Sequence, residues 1–387
     1  MSPPNPSPPP MRFDQAVVIS AQTQSLDHLG PLFDPLCAPQ RAALMCDAAG
    51  YAHAAHLKAL LTRRGVRCEL WPIPVERGVE WATRAISGAL DSVDGELALN
   101  LGRGGGLLGL LAHRAFTARG WPALLSDSGL LYPLSAPSAL SPQAGAAPPL
   151  RLTPALTAQQ ALACYGVQAS AGAAGEWFEE HLGRLAAELL YEAEALAEPL
   201  HALHRLADAA DRQLRSPHLR AADLMVPQLQ VLIERFERAG CCELFKGQLR
   251  FPSEPHRAFC AGGWLSLYAY QRLAALHSAL RLSDLRQVVD VTLAFPEAAR
   301  VRVDIACVAN ERLFLIFCPR AHDEQLNEQL TLFKALRETL PCEAVLLGHR
   351  PSPLWRRADD LGVRLCPPEA LHQLEEWFRR VVLGLPA

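Results

Sequence analysis

Lysine is nearly missing from this chain. Only Lys58, Lys246 and Lys334 occur among 37 basic residues, so almost all positive charge is arginine, which grips phosphate as a fork but is a poor substitute for a catalytic lysine. Also missing is any CxxC pair; the eleven cysteines are expected to be reduced thiols of a cytoplasmic protein, neither a disulfide framework nor a zinc site. No apolar run approaches the roughly 18 residues of a membrane span, so no membrane partner is expected. The Pro-rich start, Ser2 to Pro10, has neither basic residues nor an apolar stretch and is not expected to act as a secretion signal. No Gly-Lys-Ser/Thr follows a glycine loop, which excludes a Walker loop, and no G-x-S-x-G elbow serves a serine hydrolase. A net charge of −3 argues against a large nonspecific nucleic-acid surface, though not against a local phosphate site.

What is present is foldable. Half of the 387 residues are hydrophobic and a fifth are charged, which excludes a disordered chain and asks for two or three domains. After a tail over 1–14, residues 15–135 alternate short apolar runs (Ala16–Ile19, Ala42–Cys46, Arg67–Ile73, Glu96–Leu101) with helical patterns at 52–64, 79–90 and 107–117. That alternation predicts βαβ units, a mainly parallel sheet and a Rossmann-like domain. A hairpin turning at Asp127-Ser-Gly129 closes it.

Residues 136–152, rich in Pro, Ser, Ala and Gly, read as a linker. From 153 to 255 the pattern is a helical connecting segment, with Phe178, Leu182, Leu185 and Leu189 on one stripe and Pro199 kinking or ending that helix. A second helix near 219–238 is interrupted at Pro227, and a hairpin turns at Lys246-Gly247. The last domain, 256–387, reads helix, three strands, helix, strand, then helix, strand and helix: a mixed α/β layer.

Chemistry has few places to live. Asn100-Leu-Gly102-Arg103-Gly104-Gly105-Gly106 lies between a strand and a helix, where backbone amides can face an anion and Arg103 can add a forked donor. Ser20, Gln22 and Thr23 follow the first strand and should share that carboxyl edge of the sheet. His53/His56 and His201/His204 have helical spacing for zinc, but no third ligand is evident, and they read as surface histidines. Cys241 and Cys242, on a strand, would point to opposite faces. Gly348-His-Arg350 with Arg356-Arg357 forms a small basic cluster, read as a solvated face.

Ser20-x-Gln-Thr23, the Asn100 glycine loop, Gly262-Gly-Trp-Leu-x-x-Tyr-x-Tyr270 and Arg356-Arg-Ala-x-x-Leu-Gly-Val363 together resemble the CRISPR ancillary nucleases. These join a CARF (CRISPR-associated Rossmann fold) sensor to a restriction-endonuclease-like, PD-(D/E)xK, domain. The resemblance implies a homodimer that senses cyclic oligoadenylate and switches on a metal-dependent nuclease acting on nucleic acid. It also implies Glu-Leu-Asp on one strand, Glu-x-Lys on the next and a glutamate after Gly-Gly-Trp. Here the first strand keeps only Asp304, Phe317 and Pro319 stand in for the metal-binding glutamate and the lysine, and Ser266-Leu267 follow Trp264. The sensor loop keeps Asn100 and Gly104 but lacks the family's threonines and lysine.

Magnesium needs several hard oxygens in near-octahedral array, so the expectation is a nuclease domain without activity and no cofactor, with Mg or Mn entering only if cleavage survives. Two alternatives remain open. One is an active nuclease with relocated ligands such as Asp290 or Glu311; the other is a scaffold whose loop binds nothing.

Overall fold

In the computed structural model the alternating first part of the chain is built as a seven-stranded sheet in the order β3-β2-β1-β4-β5-β6-β7. The structure describes residues 15–19, 26–35, 37–95, 97–102, 105–135, 149–153, 156–171, 180–292, 300–319, 323–348 and 355–385. Its elements are β1 (Gln15–Ile19), α1 (Gly30–Phe33), β2 (Arg41–Cys46), α2 (Tyr51–Arg63), β3 (Arg67–Pro72), α3 (Val79–Asp91) and β4 (Ala98–Leu101). They continue with α4 (Gly106–Ala118), β5 (Ala123–Asp127), β6 (Leu130–Ser135), β7 (Leu150–Arg151) and α5 (Ala158–Cys164). Strands β3, β2, β1, β4 and β5 run parallel, while β6 and β7 pair antiparallel. The apolar runs fill the core: Val17, Met45 and Leu99 meet Ile86 of α3 and Phe116 of α4. The β5–β6 turn is made by Ser128 and Gly129, both left-handed, the backbone that suits a two-residue hairpin.

The chain divides into two compact units. The first is 1–169 with 308–313 and 339–341; the second is the remainder. Residues 136–148 lie outside those described, but the end of the expected linker is strand β7, paired with β6, because Leu150 and Leu152 bury against Leu124 and Leu131. Helix α5, capped by Thr157 and Gln160 in a reciprocal capping box, also groups with this unit.

The second unit holds a six-stranded sheet, β15-β14-β13-β12-β11-β8. Its chain order is β8 (Gln168–Ala171), α6 (Glu180–Tyr191), α7 (Ala197–Asp208), α8 (Ala221–Leu224), α9 (Leu229–Arg238), β9 (Glu243–Phe245) and β10 (Gln248–Arg250). Then come α10 (Glu254–Ala258), α11 (Trp264–Ala274), β11 (Leu282–Thr292), β12 (Arg300–Ala309), β13 (Arg312–Phe317), α12 (Asp323–Thr339) and β14 (Cys342–Leu347). The chain closes with α13 (Trp355–Asp360), β15 (Arg364–Cys366), α14 (Pro368–Leu371) and α15 (Leu374–Val382).

The stripe Leu182, Leu185 and Leu189 is buried as its spacing predicts. Two local expectations change. The connecting segment is not wholly helical, since β8 adds an edge strand. Pro199 does not break a helix: α6 already ends at Tyr191 and Pro199 sits in the first turn of α7, where its missing N–H costs nothing. Pro227 does separate α8 from α9, with Gln228 left-handed between them.

Candidate functional site

In the first unit, β1 and β4 are parallel neighbours with Val18 opposite Asn100. Chain from β1 goes to β2 on one side and chain from β4 to β5 on the other, so the strand order reverses between them, the crevice where such sheets bind ligands. β1 ends at Ile19 and β4 at Leu101, with Gly102 following it, at this edge. Ser20, Gln22, Thr23, Arg103 and Gly104 lie outside the described residues.

Asn100, Gly102, Gly105 and Gly106 are described and brought together there. Asn100 is buried and its Nδ2 donates to His28 O at 2.9 Å, while its Oδ1 is buried with no hydrogen-bond partner. Gly102 is required by packing: a Cβ there would come within 2.6 Å of His28 Cβ and 2.9 Å of its backbone N. Gly106 is left-handed, at φ +52, with open space around it. It opens α4, whose first amides carry the positive end of the helix dipole.

Sequence spacing gave no sign of His28. It lies edge-on to His53 at 5.4 Å between ring centroids, and His53 stacks on Tyr165 at 4.3 Å. Of the two histidine pairs read as surface residues, His56 is exposed and His201 half-buried, but the other member of each pair turns inward. His53 is buried, and burial, with His56 nearby, pushes it down to about 4. His204 is buried too, with Trp264 Nε1 donating to its Nε2 at 3.1 Å.

In the second unit the Gly262-Gly263-Trp264 motif is explained by backbone. Gly262 takes φ +102 in the kinked turn ahead of α11, and a Cβ on Gly263 would meet Ala258 O at 2.7 Å. These glycines let Trp264 turn fully inward onto His204, and Tyr268 donates to Leu371 O at 3.0 Å. Ser266 and Leu267 are buried beside them.

Asp304, on β12, is half-buried, and its Oδ2 accepts from the Cys318 backbone N at 2.8 Å. Phe317 is buried and its ring lies 3.6 Å, centroid to centroid, from that of Phe333 on α12. Pro319 follows without an N–H to offer. Asp290 is exposed on β11. Glu311 lies in the β12–β13 turn, where its backbone O accepts from Leu26 N at 3.1 Å and its carboxylate lies against Gly30.

Among the described residues no group of three or more His, Cys, Asp or Glu side chains is placed to hold a metal ion.

Cys241 and Cys242 precede β9 rather than lying in it, and both are buried beside Cys260, so the expected opposite-face arrangement does not occur. All eleven cysteines are free thiols. Of the small basic cluster, His349 and Arg350 lie outside the described residues, Arg356 is exposed, and Arg357 donates to Asn327 Oδ1.

A Rossmann-like unit built on a largely parallel sheet, followed along the chain by a mixed α/β unit, is the fold of this chain. Residues 253–383 match the family model described as Card1-like, endonuclease domain.

Three solved structures are similar over most of the chain. Protein VC1899 from Vibrio cholerae superposes with a TM-score of 0.80 at 20% identity, over 95% of this chain and 98% of that one. Can2 from Sulfobacillus thermosulfidooxidans, in complex with cyclic tetra-adenylate, has a TM-score of 0.69 at 17% identity, covering 94% and 99%. A type III CRISPR defence DNA nuclease activated by cyclic oligoadenylate has a TM-score of 0.52 at 16% identity, covering 89% of this chain and 47% of its own. No curated protein matches the sequence.

Proposed function

We propose that this chain is a CRISPR-associated sensor whose Rossmann unit binds cyclic oligoadenylate and whose endonuclease-fold unit has lost metal-dependent cleavage. The observation that carries the loss is at Asp304. Its carboxylate is engaged by the Cys318 amide, and the position that would supply the next metal ligand is Phe317, packed under Phe333. A divalent ion needs several oxygens converging within bonding distance to activate water beside a phosphodiester, and one engaged carboxylate does not supply them. The unit then acts by holding nucleic acid or a partner rather than by cutting.

Support for the sensor half is chemical. Buried Asn100 Oδ1 offers an acceptor at the sheet edge, Gly106 leaves room for close approach, and the α4 N-terminus favours a phosphate. Can2, whose fold this chain shares, was solved with cyclic tetra-adenylate. Such a ring repeats one nucleotide, so a symmetric pair of loops suits it, and the exposed Leu107 and Leu110 on the outer face of α4 suit a homodimer. Free thiols throughout fit the cytoplasm.

Purified protein incubated with Mn²⁺, cyclic tetra-adenylate and single-stranded DNA or RNA is expected to leave the strands intact, while calorimetry registers nucleotide binding that Arg103→Glu abolishes. Activator-dependent cleavage that vanishes in Asp304→Ala overturns the loss of catalysis. Absence of heat in the wild-type protein overturns the sensor.

A further inference from the structure

The β9–β10 hairpin and the segment beside it bring together three basic residues, Arg215, Lys246 and Arg250. Its turn, Lys246-Gly247, is left-handed at both residues, φ +52 and +75, with Phe245 opposite Gln248. Such a turn matches strand twist and holds Lys246 out at the tip. The preceding segment runs beside β10 as a third extended stretch: Ser216 N donates to Leu249 O at 2.8 Å, Leu219 N to Gly247 O at 2.8 Å and Phe251 N to Leu214 O at 2.9 Å.

That pairing sets Arg215 directly opposite Arg250 in an antiparallel bridge. Like charges facing each other across strands destabilise, a repulsion that an anion bound between them relieves. Arg250 is also pre-positioned: its Cζ lies 3.7 Å from the Phe245 ring centroid and its Nε is buried without a hydrogen-bond partner. Lys246 Nζ is 5.3 Å from the same ring centroid.

Two acids lie near. Asp211 Oδ1 is occupied by the backbone amides of Gln213 and Arg215, at 2.8 and 3.0 Å. Glu243 stands opposite Arg250 in register, and among the described residues neither Arg215 nor Arg250 forms an ion pair with any carboxylate.

We infer that this face binds a single-stranded phosphodiester chain, Arg215, Arg250 and Lys246 taking the phosphates and the Phe245–Arg250 stack offering a platform for a base. Guanidinium forks match phosphate oxygens, and an aromatic face among cations is how single strands are held without sequence preference. The inference deepens the proposal that the second unit holds nucleic acid.

The test is fluorescence anisotropy of the full chain with fluorescein-labelled oligouridylate and oligothymidylate over a salt series. The wild-type protein is expected to bind at least one of them. Arg215→Ala with Lys246→Ala should weaken that binding about tenfold and reduce the log–log salt slope by about 1.4, two phosphate contacts on a single strand. Phe245→Leu should weaken binding without changing the slope, and Arg356→Ala should change neither.

Melting temperature and the cyclic tetra-adenylate titration should be the same in wild type and double variant, which separates this face from the sensor. Failure of the wild-type protein to bind either strand overturns the inference. So does unchanged affinity in the double variant, or an equal loss measured on a duplex of the same length.

Discussion

The backbone N of Cys318 donates to Asp304 Oδ2 at 2.8 Å. An acid that family resemblance marks as catalytic thus ties the end of β13 to β12. Asp304→Ala removes the acceptor and should cost about 1–3 kcal/mol of stability, read by urea unfolding, whereas Asp304→Asn, which keeps an acceptor oxygen, should cost less. Equal stability in Asp304→Ala and wild type would show that the bond is idle.

Phe317 leaves no room to restore the motif by one substitution. Phe317→Glu puts a carboxylate into the contact with Phe333 and should destabilise by at least about 3 kcal/mol. A variant as stable as wild type that also gains Mn²⁺ binding would contradict the packing account.

The two glycines before Trp264 should resist substitution. Gly263→Ala places a methyl against Ala258 O and should cost roughly 2 kcal/mol or more, within the range of overpacked sites. Gly88→Ala, in the exposed middle of α3 with open space around it, should instead stabilise by about 0.5–1 kcal/mol. Denaturant midpoints of the pair provide the comparison.

Acid should weaken the first unit through His53. Its value of about 4 lies below the ordinary 6.5, so the unfolded chain binds more protons between those limits. Stability from this group is complete above pH 6.5 and declines as pH falls toward 4, by about 2 kcal/mol at pH 5. His53→Phe, which keeps a ring against Tyr165 but cannot titrate, should flatten the dependence of melting temperature on pH between 7 and 5. An unchanged slope in that variant would remove His53 as its source.

The α4 face should control assembly. Leu110 is 71% exposed, so Leu110→Glu should not disturb the folded chain, yet it should convert a dimer to a monomer in light scattering. A dimer that persists in this variant places the contact elsewhere.

Much of the fold was legible from short-range pattern. The alternation over residues 15–135 predicts β1 to β6 nearly to their ends, and Pro227 and Lys246-Gly247 mark their turns, because periodicity and turn chemistry act over a few neighbouring residues. The Asn100 loop was equally visible, since glycines in a strand-to-helix turn are a local signal. His28 was not. It is held by Asn100 from 72 residues away, and nothing in Asp27-His28-Leu29 announces which loop it will meet.

What the sequence determined by itself is most of the order of elements and which residues stand at 317 and 319: Phe317 and Pro319 are read directly, whatever surrounds them. Only tertiary structure decided that Leu150–Arg151 joins the first sheet and that β8 joins the second. It also decided that His53 and His204 turn inward and that Asp304 spends its oxygen on Cys318. Each of these depends on which distant segments pack together, and burial and hydrogen-bond partners are properties of that packing rather than of any residue's neighbours along the chain.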